Sequence, residues 1–283
     1  MLSGIDIGGT FIKYGFVEAD GTIIEHGHSP TIAHEGREAV VARVITIARN
    51  LASRNPGRPI GIGVPGVVDP RTKTVQSPPN LPGWERVPLQ DLVADAVGVP
   101  IVVENDANAG AIAELRSGAG RHLSDFLYVT LGTGIGGGVV IGGKLYTGPH
   151  GDAGEVGHVH IEPGIVLEKV IGRVGILKRY GGDESVDVDE IDQRAVNGEQ
   201  HAIDVLTETG TLLGIGLCSA LAVLGLRSVI VGGGISRSQL ILDTARESIR
   251  RHAIPTIARS FSLEPAHFQN DAGLVGAAML CSE

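Results

Sequence analysis

Gly4-Ile5-Asp6-Ile7-Gly8-Gly9-Thr10-Phe11-Ile12-Lys13-Tyr14-Gly15-Phe16-Val17 reads as a strand, a glycine turn and a returning strand. Apolar residues run on both sides of two adjacent glycines, which permit a tight reversal. A second turn at Asp20-Gly21 leads into a strand from Thr22 to Glu25. Such an antiparallel meander is not a Rossmann start, where a helix follows the first glycine turn. Arg37 to Leu51 carries Val40, Val41, Val44, Ile45, Ile47 and Ala48 at helical spacing, and Pro59 to Val64 follows as a short buried strand. Ile101 to Val103 is a further apolar strand, and Asn105-Asp106 opens a helix from Ala107 to Leu115.

The scheme then repeats. Phe126 to Leu131 is a strand, Gly132 to Gly138 a glycine turn, Val139 to Ile141 a returning strand, and Lys144 to Tyr146 a third strand after Gly142-Gly143. An internal duplication is the simplest account. A helix from His201 to Leu224 feeds a strand at Ser228 to Val231, the Gly232-Gly233-Gly234 turn and a helix from Ser236 to Arg251. A last helix spans Asp271 to Leu280. The expected organisation is α/β, with one lobe over 1–118 and another over 119–270, divided near Gly118-Ala119-Gly120. The terminal segment 271–283 is expected to pack back on the first lobe.

Composition narrows the function. The chain has 283 residues, a net charge of −9 and 42 glycines clustered beside apolar runs. No Lys/Arg block is present to release counterions from nucleic acid or to bind anionic lipid, so small-molecule partners are favoured over nucleic acid or membrane. Met1-Leu2-Ser3-Gly4 leads straight into a strand without the regions of a signal peptide, which predicts a cytoplasmic protein. The most apolar stretch, Leu212 to Leu226, reads as a buried helix too short to span a bilayer. Two cysteines, Cys218 and Cys281, build neither a disulfide framework nor a Cys-based zinc site.

Two phosphate motifs fail on context. Gly132-Thr-Gly-Ile-Gly-Gly137 fits the dinucleotide pattern, but a strand follows it where a helix is required. Gly138-Val-Val-Ile-Gly-Gly-Lys144 begins like a Walker A loop, yet Leu145 stands at its Ser/Thr position. A better reading pairs Asp6-x-Gly8-Gly9-Thr10-x-x-Lys13 with Thr130-x-Gly132-Thr133-Gly134. These are two hairpin turns whose bare backbone N–H groups and hydroxyls approach phosphate closely and grip one polyphosphate from both sides. Asp6 would then face a magnesium ion, held through water, that bridges phosphoryl oxygens.

In this order, six motifs are specific: Asp6-Ile-Gly-Gly-Thr-x-x-Lys13, Pro79-Asn-Leu-x-Gly-Trp84, Glu104-Asn-Asp-Ala-Asn108, Leu131-Gly-Thr-Gly-Ile-Gly-Gly137, Gly154-Glu-Val-Gly-His158 and Gly232-Gly-Gly-Ile235. Over essentially its whole length the chain resembles the ROK family (repressors, open reading frames, kinases), within the actin, Hsp70 and hexokinase superfamily. The resemblance implies two ribonuclease H-like, actin-like ATPase lobes with a cleft between them. It also implies an ATP- and magnesium-dependent sugar kinase, glucokinase-like, that forms a homodimer. Gly132, Thr133 and Gly134 would lie on the phosphates, and Gly232, Gly233 and Gly234 near adenosine.

Asp106, taken alone, reads as a helix N-cap, at a position where the helix dipole keeps a carboxylate ionised and directed into a crevice. The family's catalytic Asp occupies this motif, so the resemblance makes Asp106 the base that deprotonates the attacking hydroxyl. By the same carry-over Asn80, Asn105, Asp106, Glu155, His158 and Glu168 would contact the sugar, with Gly66 approaching through its backbone. Glu155 and His158 lie three apart and need a turn or helical twist to reach one ligand; on residues alone, His158 and His160 alternate along a strand. Trp84 is assigned to packing. Glucokinase-like members place three cysteines after the Gly-His pair, which hold a zinc ion with the histidine. Between His160 and Glu168 this chain has only Ile-Glu-Pro-Gly-Ile-Val-Leu, so no zinc site is expected. Zinc-free relatives that use polyphosphate leave the phosphoryl donor open. N-acetylmannosamine, fructose, mannose and allose remain alternatives to glucose, and a sugar-sensing regulator is the non-enzymatic alternative.

Overall fold

The computed structural model describes residues 1–182 and 186–282, so Glu283 of the expected terminal segment lies outside the described residues. The chain forms two compact units. Unit 1 is Met1–Leu123, Gly138–Ala153 and Asp271–Glu283; unit 2 is Ser124–Gly137 and Gly154–Asn270.

Along the chain come β1 (Leu2–Ile7), β2 (Phe11–Val17), β3 (Ile23–Pro30), α1 (Arg37–Arg54), β4 (Ile60–Val64) and a small hairpin, β5 (Val67–Val68) with β6 (Val75–Gln76). Then follow α2 (Leu89–Val97), β7 (Ile101–Asn105), α3 (Asp106–Arg116), β8 (Phe126–Leu131), β9 (Ile135–Ile141) and β10 (Lys144–Tyr146). A second hairpin, β11 (His160–Glu162) with β12 (Ile165–Val166), precedes α4 (Leu167–Ile171), α5 (Arg173–Tyr180), α6 (Val188–Val196) and α7 (Gln200–Leu224). The last elements are β13 (Ser228–Gly232), α8 (Gln239–His252), α9 (Pro255–Ala258), β14 (Ser262–Pro265) and α10 (Ala272–Met279).

The expected duplication is visible in the strand order, β3-β2-β1-β4-β7 in one sheet and β10-β9-β8-β13-β14 in the other. In the first sheet β1–β2 and β2–β3 are antiparallel, while β1–β4 and β4–β7 are parallel. In the second, β9–β10 is antiparallel and β8–β13 and β13–β14 are parallel. Parallel strands covered on both faces read as continuous apolar runs, and β4 is buried at every position. In unit 1, Ile5, Ile7, Ile62 and Val64 meet Val40, Val44 and Leu51 of α1, and Trp84 is a core residue at 1% exposure.

Two local expectations change. The glycine turn after β8 ends at Gly134, and β9 begins at Ile135 instead of Val139. Gly136 to Gly138 read as a turn locally, but neighbouring atoms crowd the last two: a methyl on Gly137 would overlap the Gly154 carbonyl, and one on Gly138 would stand 2.6 Å from Ala111 Cβ. The reading of the apolar stretch from Leu212 as too short to span a bilayer also changes: it is the second half of α7, which matches the helix expected from His201 to Leu224 and whose 25 residues are long and apolar enough to cross a membrane by length and composition. One face of α7 is buried, and Gly210 and Gly214 bring it against Thr244 and Ser248 of α8, a core packing of two helices.

Candidate active site

The parallel register of the first sheet brings its carboxylates together. Asp6, near the end of β1, lies opposite Lys13 on β2 and Gly63 on β4, and Gly63 lies opposite Glu104 on β7. A methyl on Gly63 would stand 3.6 Å from Asp6 Oδ1 and 3.7 Å from the Asp106 Cα, so that glycine separates the two acids with backbone alone. The site lies at the carboxyl ends of parallel strands, where α/β sheets bind ligands.

The start of α3 differs from its sequence reading. Asn105, not Asp106, is the N-cap: its Oδ1 accepts the Asn108 N–H at 3.0 Å. Its Nδ2 donates to the Gly66 carbonyl at 3.0 Å, and Gly66 sits at φ +87°, which a side chain would resist. Asp106 is the first helical residue, and its Oδ1 accepts the Ala107 N–H at 2.9 Å.

The helix terminus that favours an ionised Asp106 is opposed by burial. Burial pushes its carboxyl above the ordinary carboxylate range, opposed by bonds from the Ala107 and Asp106 N–H groups and from Asn105. Asp6 is pushed up to about 7, first by burial and then by the negative charge of Asp106, with Lys13 opposing and Asp271 adding to the rise. Desolvation outweighs the bonds at the helix terminus for Asp106 and the Lys13 charge for Asp6. The sign for stability follows: Asp6 binds its proton more tightly folded than unfolded, so it disfavours the folded state increasingly as pH rises from about 4 to about 7. In metal-free protein, Asp6→Asn is therefore expected to raise the melting temperature by several degrees at pH 8 and by little at pH 4. Equal shifts at both pH values in a calorimetric melt contradict this.

Around the first glycine turn, the Gly8 N–H donates to the Phe11 carbonyl at 2.9 Å and the Thr31 hydroxyl to the Gly8 carbonyl at 2.7 Å. Gly8 thus spends its N–H inside the turn, while Gly9 and Thr10 are exposed. Asn80 lies against Gly9, where a methyl would stand 3.0 Å from the Asn80 Cβ. The Lys13 ammonium is 3.7 Å from Asp271 Oδ1.

In unit 2 the equivalent turn closes by the Gly132 N–H donating to the Gly134 carbonyl at 3.0 Å, and the Gly132 carbonyl accepts the Arg173 N–H at 3.1 Å. Neither Gly8 nor Gly132 is therefore a bare donor. Glu168, in the first turn of α4, accepts the Ile135 N–H at 2.8 Å and lies against Gly134, beside Thr133. Glu155 caps a short 3₁₀ turn, Val156–His158, and its carbonyl accepts the His158 N–H at 3.1 Å. Three residues per turn place Glu155 and His158 on one side, the twist their spacing required. His158 and His160 do not share a strand, since His158 ends the turn and His160 begins β11.

Gly232 ends β13, where a methyl would stand 2.6 Å from the Tyr128 hydroxyl; Gly233, at φ +82°, lies on the Leu131 backbone, and Gly234 lies near Asn270. The helix expected from Ser236 is divided into a 3₁₀ turn, Gly234–Arg237, and α8, which Ser238 caps. Sequence reasoning did not single out Gly63, Glu104, Asn108, Asp271 or Gly273 individually, although Glu104 and Asn108 frame the motif around Asp106. Among the described residues no group of three or more His, Cys, Asp or Glu side chains is placed to hold a metal ion.

The ROK family model matches residues 2–283. The glucokinase of Thermotoga maritima is 32% identical over 308 residues, covering 100% of this chain and 97% of that protein. The ROK family glucokinase of Streptomyces griseus, solved in complex with glucose and AMPPNP, superposes with a TM-score of 0.89 at 32% identity, covering 99% of both chains. The inorganic polyphosphate/ATP-glucomannokinase of Arthrobacter superposes with a TM-score of 0.73 at 30% identity, over 99% of this chain and 98% of that one. The duplicated sheets follow the actin-like ATPase fold of these neighbours.

Proposed function

The chain belongs to the ROK family, and from that premise we propose that it is a cytoplasmic, homodimeric hexose kinase that transfers the γ-phosphate of ATP to the sugar 6-hydroxyl, glucose foremost. The observation that carries the proposal is the placement of Asp106: at the end of β7, in the first turn of α3, partly exposed, with its cap role taken over by Asn105. A carboxyl raised toward the working pH is a better-matched base than one held at its ordinary value. Phosphoryl transfer has a loose transition state, so Asp106 need only orient the hydroxyl and accept its proton late.

Asp6 fits a magnesium ion that arrives with phosphate. Mg²⁺ keeps several waters and uses one or two carboxylates plus phosphate oxygens, so a single acid suffices where no metal-ligand cluster is found among the described residues. When bound, the ion would neutralise charge on the phosphoryl oxygens and stabilise Asp6 as a carboxylate. The family resemblance assigns Gly8, Gly9, Thr10, Lys13, Gly132, Thr133 and Gly134 to the phosphates and Gly232, Gly233 and Gly234 to adenosine. It assigns Asn80, Asn105, Glu155, His158 and Glu168 to sugar hydroxyls, with the Gly66 backbone beside them.

The test is a panel of glucose, mannose, fructose, allose and N-acetylmannosamine, each with magnesium and either ATP or polyphosphate, followed by sugar-phosphate formation. The expected result is highest kcat/KM for glucose with ATP, and a mass in solution of twice the chain. Failure to phosphorylate any sugar while still binding one would overturn the kinase reading in favour of a sugar sensor.

A further inference from the structure

We infer that Glu104 and Asn108 are positioning residues for Asp106, a bracket that fixes the backbone on both sides of the base; this rests on the kinase reading above. One oxygen carries the bracket. Glu104 Oε1 accepts the Asn105 N–H at 2.9 Å and the Asn108 Nδ2 at 3.0 Å, and so spans the junction from the end of β7 to the first turn of α3. A second link crosses the same junction, because Asn105 Oδ1 accepts the Asn108 N–H while Asn105 Nδ2 holds the Gly66 carbonyl. Asp106 lies inside this closed set of bonds, and its Oδ1 accepts the N–H of its neighbour Ala107.

Asn108 is 1% exposed, and among the described residues its Oδ1 meets no donor. A buried amide that uses only its donor half is poor economy for helix stability alone, since an apolar side chain would leave no acceptor unpaired. The donor half reaches Glu104. The chemistry asked of Glu104 is an acceptor oxygen rather than a negative charge, and a glutamine carbonyl supplies the same acceptor. Misplacing a catalytic group by about 1 Å costs on the order of 10²-fold in rate.

The experiment measures kcat and sugar KM for Glu104→Ala, Glu104→Gln, Asn108→Leu and Asp106→Asn beside the wild type, with thermal melts of each. Glu104→Ala and Asn108→Leu are expected to lower kcat by about 10- to 100-fold with sugar KM within about threefold, and Glu104→Gln to recover most of the loss. Asn108→Leu is expected to keep the fold, so a loss of rate in a chain that melts like wild type separates positioning from stability. Wild-type kcat in both Glu104→Ala and Asn108→Leu, or a Glu104→Gln as slow as Glu104→Ala, overturns the bracket. If those results come with an active wild type and a dead Asp106→Asn, the kinase reading stands and the bracket alone is lost. A wild type inert toward every hexose removes both.

Discussion

Asp106→Asn is expected to reduce kcat for hexose phosphorylation by about 10²- to 10⁴-fold, the usual contribution of a positioned general base, while sugar affinity changes by less than about tenfold. Asparagine keeps the size of the side chain and the oxygen that accepts the Ala107 N–H, so α3 retains its first turn. It also removes a carboxyl whose ionisation burial opposes, and the variant should melt no lower than wild type at neutral pH. The pH profile gives an independent check. A base must be ionised to act, so wild-type kcat should fall as pH drops through an Asp106 value above the ordinary carboxylate range, and the residual rate of Asp106→Asn should lack that limb. Near-normal turnover in a folded, sugar-binding Asp106→Asn variant contradicts the assignment.

The parts of this site that could be read from the sequence are those that local chemistry dictates. Asp6-Ile-Gly-Gly-Thr10 can hardly be anything but a strand entering a tight turn, and the second meander repeats it, so the duplicated order of the two sheets was foreseeable. Asn105-Asp106 announced a helix start. Which of the two would cap it depended on Gly66, 39 positions earlier in the chain, whose carbonyl takes the Asn105 amide. No local pattern reports such a partner. The start of β9 was missed for the same reason, because Gly137 and Gly138 stand in a strand where residues distant in sequence, Gly154 and Ala111, lie too close for side chains. The upward push on the Asp106 carboxyl was not foreseen because a helix terminus is visible in sequence and burial is not. The hairpin β11–β12 and the short helices α4 and α5 lacked periodicity long enough to read.

Unit 1 also ties its chemistry to its packing through the last helix. Gly273 of α10 leaves room for Asp6, whose Oδ2 would stand 2.6 Å from a methyl placed there. Gly4 and Gly61 admit α10 from below: a methyl on Gly4 would stand 2.7 Å from the Leu274 carbonyl oxygen, and one on Gly61 would overlap that of Ala277. Helix, sheet and the acid of β1 therefore meet through positions without side chains, which is why so many glycines serve one unit.

Gly276→Ala should expose that dependence most sharply. A methyl on Gly276 would overlap the carbonyl of Ala109, a residue at 0% exposure one turn beyond Asp106 in α3. The obstructing atoms are backbone on both sides, so neither can rotate away; α10 and α3 must separate. Overpacking of this kind costs about 1–3 kcal/mol, and here the upper end is expected because the helices are held by the β1 and β4 contacts of α10 as well. For a chain of this size that corresponds to a fall of roughly 5 °C in melting temperature. Because Ala109 lies on the helix that carries the base, separation should also lower kcat below what the unfolded fraction explains when assayed well under the melting point. A melt within about 1 °C of wild type, at normal kcat, would show that α10 shifts freely and that Asp106 is held independently of it.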